Sequence, residues 1–187
     1  MIPIFAAALE VQDFCRSQGW SFCFIGGLAV QRWGEPRLTQ DVDLTILTGF
    51  GREAEFIDAL LGKLTARRPD ARDFALRNRV VLLQSSARIP IDVSLGALAF
   101  EERLVKRASC HMFSPGVELE TCSAEDLVVL KAFAGRDRDW ADIEGVVLRQ
   151  AGRLGVKLIW RELVPLLELK EDAAGKDRLE VILARGR

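Results

Sequence analysis

The sequence predicts an α/β (α+β) fold, with a mixed-sheet core followed by a helical C-terminal part. Three observations predict it. Residues 41–47 (DVDLTIL) alternate polar and apolar, the period of a half-buried strand. Residues 79–84 and 88–93 read as two more strands joined by the polar turn Ser85-Ser86-Ala87, a hairpin pattern. After Ser123 the spacing of apolar residues is helical throughout, so strands and helices mix before about residue 121 and only helices follow. The division falls accordingly at 1–121 for the core and 122–187 for the helical region.

Each element follows in turn. Residues 3–18 have apolar positions at helical spacing and stop at Gly19, a suitable C-cap. WSFCFI, 20–25, is a short apolar run rich in aromatics and reads as a buried strand, broken by Gly26-Gly27. A short helix over 28–33 ends at Gly34, and 35–40 form a loop because Pro36 cannot continue a helix. A helix is expected over 51–66, another over 97–107, and one short strand around 112–120 with Pro115-Gly116 in a turn. Ser123-Ala124-Glu125-Asp126 fits a capping box at the head of helix 124–134. Helices over 139–151, 157–170 and 174–185 complete the chain, punctuated by Gly135, Gly152, Gly155 and Gly175.

Gross composition narrows the function. The 187 residues suit one compact catalytic core with a helical extension. Hydrophobic residues make up 49% and charged residues 28%, the balance of an ordinary globular protein. No apolar run approaches the ~20 residues that span a bilayer. The first stretch, MIPIFAAALEVQDFC, lacks a basic segment before its apolar part and reads as an amphipathic helix rather than a signal peptide. No membrane partner is expected, and cytoplasm is the expected location. A net charge of −1 argues against strong non-specific nucleic-acid binding, although Arg67, Arg68, Arg72, Arg77 and Arg79 cluster. Cys15, Cys23, Cys110 and Cys122 form no CxxC pair, so free thiols are expected. His111 is the only histidine, which excludes any chemistry that needs two.

The carboxylates carry the chemistry. A strand puts Asp41 and Asp43 on one face, and two carboxylates so placed repel each other unless a cation lies between them. They make a seat for Mg²⁺, which prefers oxygen ligands. Val42, Leu44 and Ile46, on the opposite face, anchor the strand in the core. Asp92 lies in Ile89-Pro90-Ile91-Asp92-Val93 and joins the pair if its strand runs beside the first. Three carboxylates can hold two divalent ions that clamp the attacking and leaving oxygens of a phosphoryl transfer. Asp92 can also deprotonate or orient the attacking hydroxyl. Gly26 and Gly27 follow a strand and open a helix, where backbone amides and the helix dipole favour a phosphate.

These residues, in this order, have a counterpart. FIGGLAVQRWGEPRLTQDVDLTI resembles the signature of the minimal nucleotidyltransferase superfamily, of DNA polymerase beta-like fold. The spacing Arg37-x-Thr39-x-Asp41-x-Asp43 resembles its AbiEii toxin-like, toxin–antitoxin branch. AEDLVVLKAFAGRDRDWADIEGVV is similar to that branch too, through Lys131, Arg138-Asp139 and Asp142. The match spans roughly 22–148.

The resemblance implies that Asp41, Asp43 and Asp92 bind catalytic Mg²⁺ or Mn²⁺. Gly26 and Gly27 would contact the triphosphate of an NTP, and Lys131 would reach its phosphates. Arg37 either binds phosphate or braces its loop, and Thr39 hydrogen-bonds within that loop. Asp139 and Asp142 either pair with Arg136 or Arg138 or cap the helix at 139, or else take a catalytic part. The implied reaction moves NMP from an NTP to an acceptor hydroxyl on a protein or tRNA, in a system with a cognate toxin or antitoxin partner. The alternative is a non-catalytic nucleotide- or partner-binding protein that keeps the fold. One departure stands out: the turn is Gly-Gly where many relatives have Gly-Ser.

Overall fold

A computed structural model of the chain describes residues 2–170 and 173–186. It divides into two compact units: Met1–Leu28 with Leu38–Cys122, and Ala29–Arg37 with Ser123–Arg187. The short segment 29–37, far from residue 123 in sequence, thus belongs with the C-terminal helices.

The first unit holds α1 (Pro3–Ser17), β1 (Phe22–Phe24), the start of α2 (Gly26–Trp33), β2 (Val42–Leu47), α3 (Glu53–Lys63), β3 (Thr65–Ala66) and α4 (Ala71–Asn78). It continues with β4 (Val80–Gln84), β5 (Pro90–Gly96), α5 (Ala99–Lys106), β6 (Ser109–Ser114) and β7 (Val117–Thr121). Proline opens α1, where its missing N–H costs nothing, and Gly19 at φ 67 turns the chain away after the helix. The described strands form one mixed seven-stranded sheet in the order β3-β4-β5-β2-β1-β7-β6.

Alternation fixes the faces of this sheet. Val42, Leu44 and Ile46 of β2, Ile91, Val93 and Leu95 of β5, and Val81 and Leu83 of β4 are all buried. They share one core with Ala7, Ala8 and Val11 of α1 and Ile57 and Leu60 of α3. The intervening residues Asp43, Asp92 and Ser94 are only partly buried. One face of the central strands is therefore core, and the other is where polar side chains collect.

The second unit contains α6 (Ala124–Ala134), α7 (Asp137–Gln150), α8 (Val156–Lys170) and α9 (Ala173–Arg185). Helix α6 packs against the other three. Its cap is the expected one: Ser123 Oγ accepts from the Asp126 amide at 3.1 Å, and Asp126 Oδ2 accepts from Ser123 Oγ at 2.7 Å. Segment 29–37 is tied to α7 by Gln150 Nε2 donating to Trp33 O at 2.9 Å and Arg149 Nη1 donating to Gly34 O at 2.6 Å. Gly145 on α7 gives the Glu35 backbone room: a Cβ there would lie 3.1 Å from its nitrogen. No described helix is long and apolar enough to cross a membrane.

Three elements depart from the sequence expectation. The single strand expected around 112–120 is a hairpin of two, β6 and β7, closed by Pro115-Gly116 with Gly116 at φ 78. Helix α4 was not legible, because its buried residues are only Ala71 and Ala75 and make no apolar stripe. The helix expected over 51–66 ends at Lys63, where two residues leave to form β3 on the sheet edge. None of the described cysteines is in a disulfide; Cys110 is exposed and the other three are buried. Burial pushes the Cys15 thiol up to about 12, so it stays protonated at neutral pH.

Leu44 is fully buried in β2, on the core face opposite the carboxylate of its neighbour Asp43. Leu44→Ala is expected to cost about 2–5 kcal/mol in urea unfolding, the range for a buried leucine that leaves a cavity. A loss under about 1 kcal/mol would mean the core face is not what anchors this strand.

Candidate active site

Strand β2 runs parallel to β5 with Asp43 directly opposite Asp92. In-register partners share a face, so the condition set by the sequence for Asp92 to join the pair is met in placement. Asp41 precedes β2 and is also half-buried. Thr39, 7% exposed, donates its hydroxyl to Asp41 Oδ1 at 3.1 Å and to Asp41 O at 3.3 Å. Thr39 therefore orients the Asp41 carboxylate as well as bracing the loop.

Gly26 and Gly27 are shaped by these same residues. Gly26 opens α2 at φ 57, and a Cβ there would fall on the Asp43 carboxylate. A Cβ at Gly27 would fall on the Thr39 hydroxyl. Only glycine lets the first turn of α2 press its backbone against Asp43 and Thr39. The first amides of a helix lack intrahelical acceptors and present partial positive charge, so this turn has the chemistry of an anion seat beside the carboxylates.

Asp92 accepts a hydrogen bond from Arg67 Nη2. Burial raises the Asp92 pKa above the ordinary carboxylate value, the Arg67 charge opposes the rise, and the Asp41 charge adds to it. A divalent cation, as the resemblance implies, fits this donor set: the three side chains offer only oxygen, Asp43 and Asp92 share a face, and the Asp41 and Asp92 charges burden each other. The three are not drawn together as a ready-made cage, however. Among the described residues no three His, Cys, Asp or Glu side chains are gathered as metal ligands.

The second unit holds the remaining site candidates in an ion network. Lys131 on α6, 8% exposed, reaches Asp139 Oδ1 and Asp142 Oδ2, each at 2.8 Å. Asp142 also takes a two-pronged contact from Arg37, Nε to Oδ1 at 2.7 Å and Nη2 to Oδ2 at 2.9 Å. Asp139 takes Arg136 Nε at 2.7 Å. Asp139 thus pairs with Arg136, one of the partners expected from sequence, and with Lys131, which was not expected. Asp142 pairs with Arg37 rather than with Arg136 or Arg138. Arg37 is held by Asp142, and Lys131, buried between Asp139 and Asp142, is not a solvated helix lysine.

Burial would raise both aspartates, but the hydrogen bonds and charges of Arg136 and Lys131 on Asp139, and of Arg37 and Lys131 on Asp142, outweigh it and hold both pKa values low. Carboxylates with depressed folded pKa values stabilise above the unfolded value of about 4 and lose that contribution as pH falls through the folded values. Thermal stability is accordingly expected to decline as pH drops below about 4, and less so in Asp142→Asn, as scanning calorimetry would read. Lys131→Met should cost about 1–3 kcal/mol at neutral pH, because two buried carboxylates lose a shared donor while each keeps an arginine. An unchanged melting temperature would mean that Lys131 contributes nothing to this unit's stability.

Among curated proteins, none matches this sequence. Solved structures do match in fold. The antibiotic-resistance factor ANT(2'')-Ia is 14% identical, with 89% of this chain and 92% of that chain covered at a TM-score of 0.55. An antigenic nucleotidyltransferase-like protein from Paracoccidioides brasiliensis is also 14% identical, with 96% and 90% covered at a TM-score of 0.52. At that identity the likeness shows the nucleotidyltransferase fold. The family model described as nucleotidyl transferase AbiEii toxin, type IV TA system, matches residues 15–147. That span covers well over half of the chain and takes in Gly26, Gly27, Asp41, Asp43, Asp92, Lys131, Asp139 and Asp142, so the chain belongs to the AbiEii nucleotidyltransferase family.

Proposed function

We propose that this nucleotidyltransferase moves NMP from an NTP to an acceptor hydroxyl on a protein or tRNA, with Asp41, Asp43 and Asp92 as its carboxylate centre. The observation that best supports the reading is the parallel register that sets Asp92 beside Asp43, with the Gly26 backbone pressed against the Asp43 side chain. Two divalent ions, when bound, would neutralise charge on the triphosphate and clamp the reacting oxygens. Asp41, aimed by Thr39, and Asp43, backed by Gly26, are the proposed metal ligands. Asp92, the half-buried carboxylate with a raised pKa, is the proposed third ligand and the group that orients or deprotonates the acceptor hydroxyl.

The amides of Gly26 and Gly27 would hold the triphosphate at the start of α2. Lys131 and Arg37 enter the proposal as phosphate-binding cations by resemblance alone. Both are engaged by aspartates, so an incoming phosphate would compete with Asp139 and Asp142. The family description places its members in type IV toxin–antitoxin systems, and we extend a cognate partner of that kind to this chain.

The test is nucleotidyl transfer from each labelled NTP into a cell extract. Asp43→Asn should abolish labelling while melting at or above the wild-type temperature, because it removes a ligand charge and keeps the shape. Transfer by this variant at the wild-type rate would sink the metal-ligand role. NTP binding by the wild type without release of pyrophosphate would favour a sensor over an enzyme of this mechanism.

A further inference from the structure

The order of the strands gives the proposed reaction a direction. Gly26 opens α2 directly after β1, Asp43 lies on β2, Asp92 lies on β5, and β4 is the next strand out. The phosphate seat proposed at Gly26 and Gly27 is therefore on the β1 side of Asp43, against which the Gly26 backbone is pressed. Asp92 is on the other side, one strand spacing or about 4.8 Å away between backbones. Phosphoryl transfer sets the attacking and leaving oxygens in line, on opposite sides of the phosphorus. Pyrophosphate held at the start of α2 thus obliges the acceptor to enter over β5 and β4.

Register decides what the acceptor meets there. Leu82 of β4 faces Asp92, and Val80 faces Ser94. Paired residues share a face, so Val80 and Leu82 stand on the carboxylate side while Val81 and Leu83 fill the core. Val80 and Leu82 are only partly buried. With Ser94 they make an uncharged step beside Asp92. The arginines of this region are already engaged, Arg67 by Asp92, Arg68 by Asp70, Arg72 by Asp58 and Arg79 by Glu53. A polyanion would compete with those carboxylates for its counter-charges, whereas an apolar surface displaces only water. We propose that the acceptor rests on Val80 and Leu82, which select a hydroxyl on a polypeptide with uncharged, apolar neighbours. In the step itself the acceptor oxygen bonds to the α-phosphorus and passes its proton to Asp92. The bond from that phosphorus to the bridging oxygen breaks, and pyrophosphate leaves with the electron pair. The inference rests on the carboxylate centre proposed above.

The experiment follows α-phosphate label from each NTP into the protein and RNA fractions of a limiting amount of cell extract, beside Mg²⁺–NTP affinity by calorimetry. Label should enter protein. Val80→Asp and Val80→Lys should each lower it about fivefold, the worth of roughly 40 Å² of apolar contact. Leu82→Gln should lower it by a similar factor without adding charge, and Val80→Ile should restore transfer. Each loss should exceed any change in NTP affinity. Label in RNA overturns the proposal, as does a gain with Val80→Lys against a loss with Val80→Asp, the pattern of a polyanionic acceptor. A fall in NTP affinity by the same factor as transfer also overturns it, since this face would then hold nucleotide. Asp43→Asn separates the two readings. If it transfers like the wild type, the carboxylate centre is wrong; if it is inactive while every Val80 and Leu82 variant transfers fully, only the acceptor face is wrong.

Discussion

The parallel pairing of β2 with β5 is the constraint on which the rest of the first unit depends. Because side chains alternate along each strand, one register puts Val42, Leu44, Ile46, Ile91, Val93 and Leu95 into the core and Asp43 and Asp92 together on the other face. Sliding β5 by one residue would bury Asp92 and expose Ile91 and Val93, at a cost of several buried aliphatic side chains, each worth about 1.5–3 kcal/mol. Hydrophobic burial thus enforces a juxtaposition of like charges that electrostatics alone would oppose. The surroundings answer that repulsion locally. Thr39 donates to Asp41, and Arg67 donates to Asp92.

The second unit solves a different electrostatic problem. Lys131, Asp139 and Asp142 are all buried, and a lone buried charge there would be costly. The network of Arg37, Asp142, Lys131, Asp139 and Arg136 leaves no described buried side-chain polar atom without a hydrogen-bond partner. Such a network contributes less to net stability than an apolar core of equal volume, yet losing one member is expensive. It also joins a loop residue, Arg37, to α6 and α7, and so fixes segment 29–37 with more geometric precision than packing alone.

The sequence made some of this legible and hid the rest for physical reasons. The Asp41–Asp43 strand was readable because burial on one face writes a period of two into the residues. The capping box at Ser123 was readable because the backbone amides of a helix start need partners of a particular type at a particular spacing. Helix α4 was hidden because it buries only alanines. The hairpin of β6 and β7 was hidden because no residue of β6 is fully buried and it has no apolar face to alternate. The partners of Asp142 and Asp92 were hidden for a deeper reason. Arg37 lies 105 residues from Asp142, and Arg67 lies 25 from Asp92, and no local pattern encodes a contact at that separation. The arginine cluster around 67–79 looked like a basic surface, yet its members are paired with Asp92, Asp70, Asp58 and Glu53.

The Gly-Gly turn has a structural reason. A Cβ at Gly27 would occupy the place of the Thr39 hydroxyl, and Thr39 is buried against it. A serine at 27 would therefore need Thr39 to move, and Thr39 is the residue that donates to Asp41. Position 27 and position 39 are thus coupled: one hydroxyl fits beside the first turn of α2, and in this chain it comes from the loop rather than from the turn. That hydroxyl aims a carboxylate, which would leave the proposed phosphate contacts at this turn to backbone amides. Amides at a helix start hold an anion without a side chain to reorganise, so the exchange keeps the anion seat while gaining a fixed orientation for Asp41.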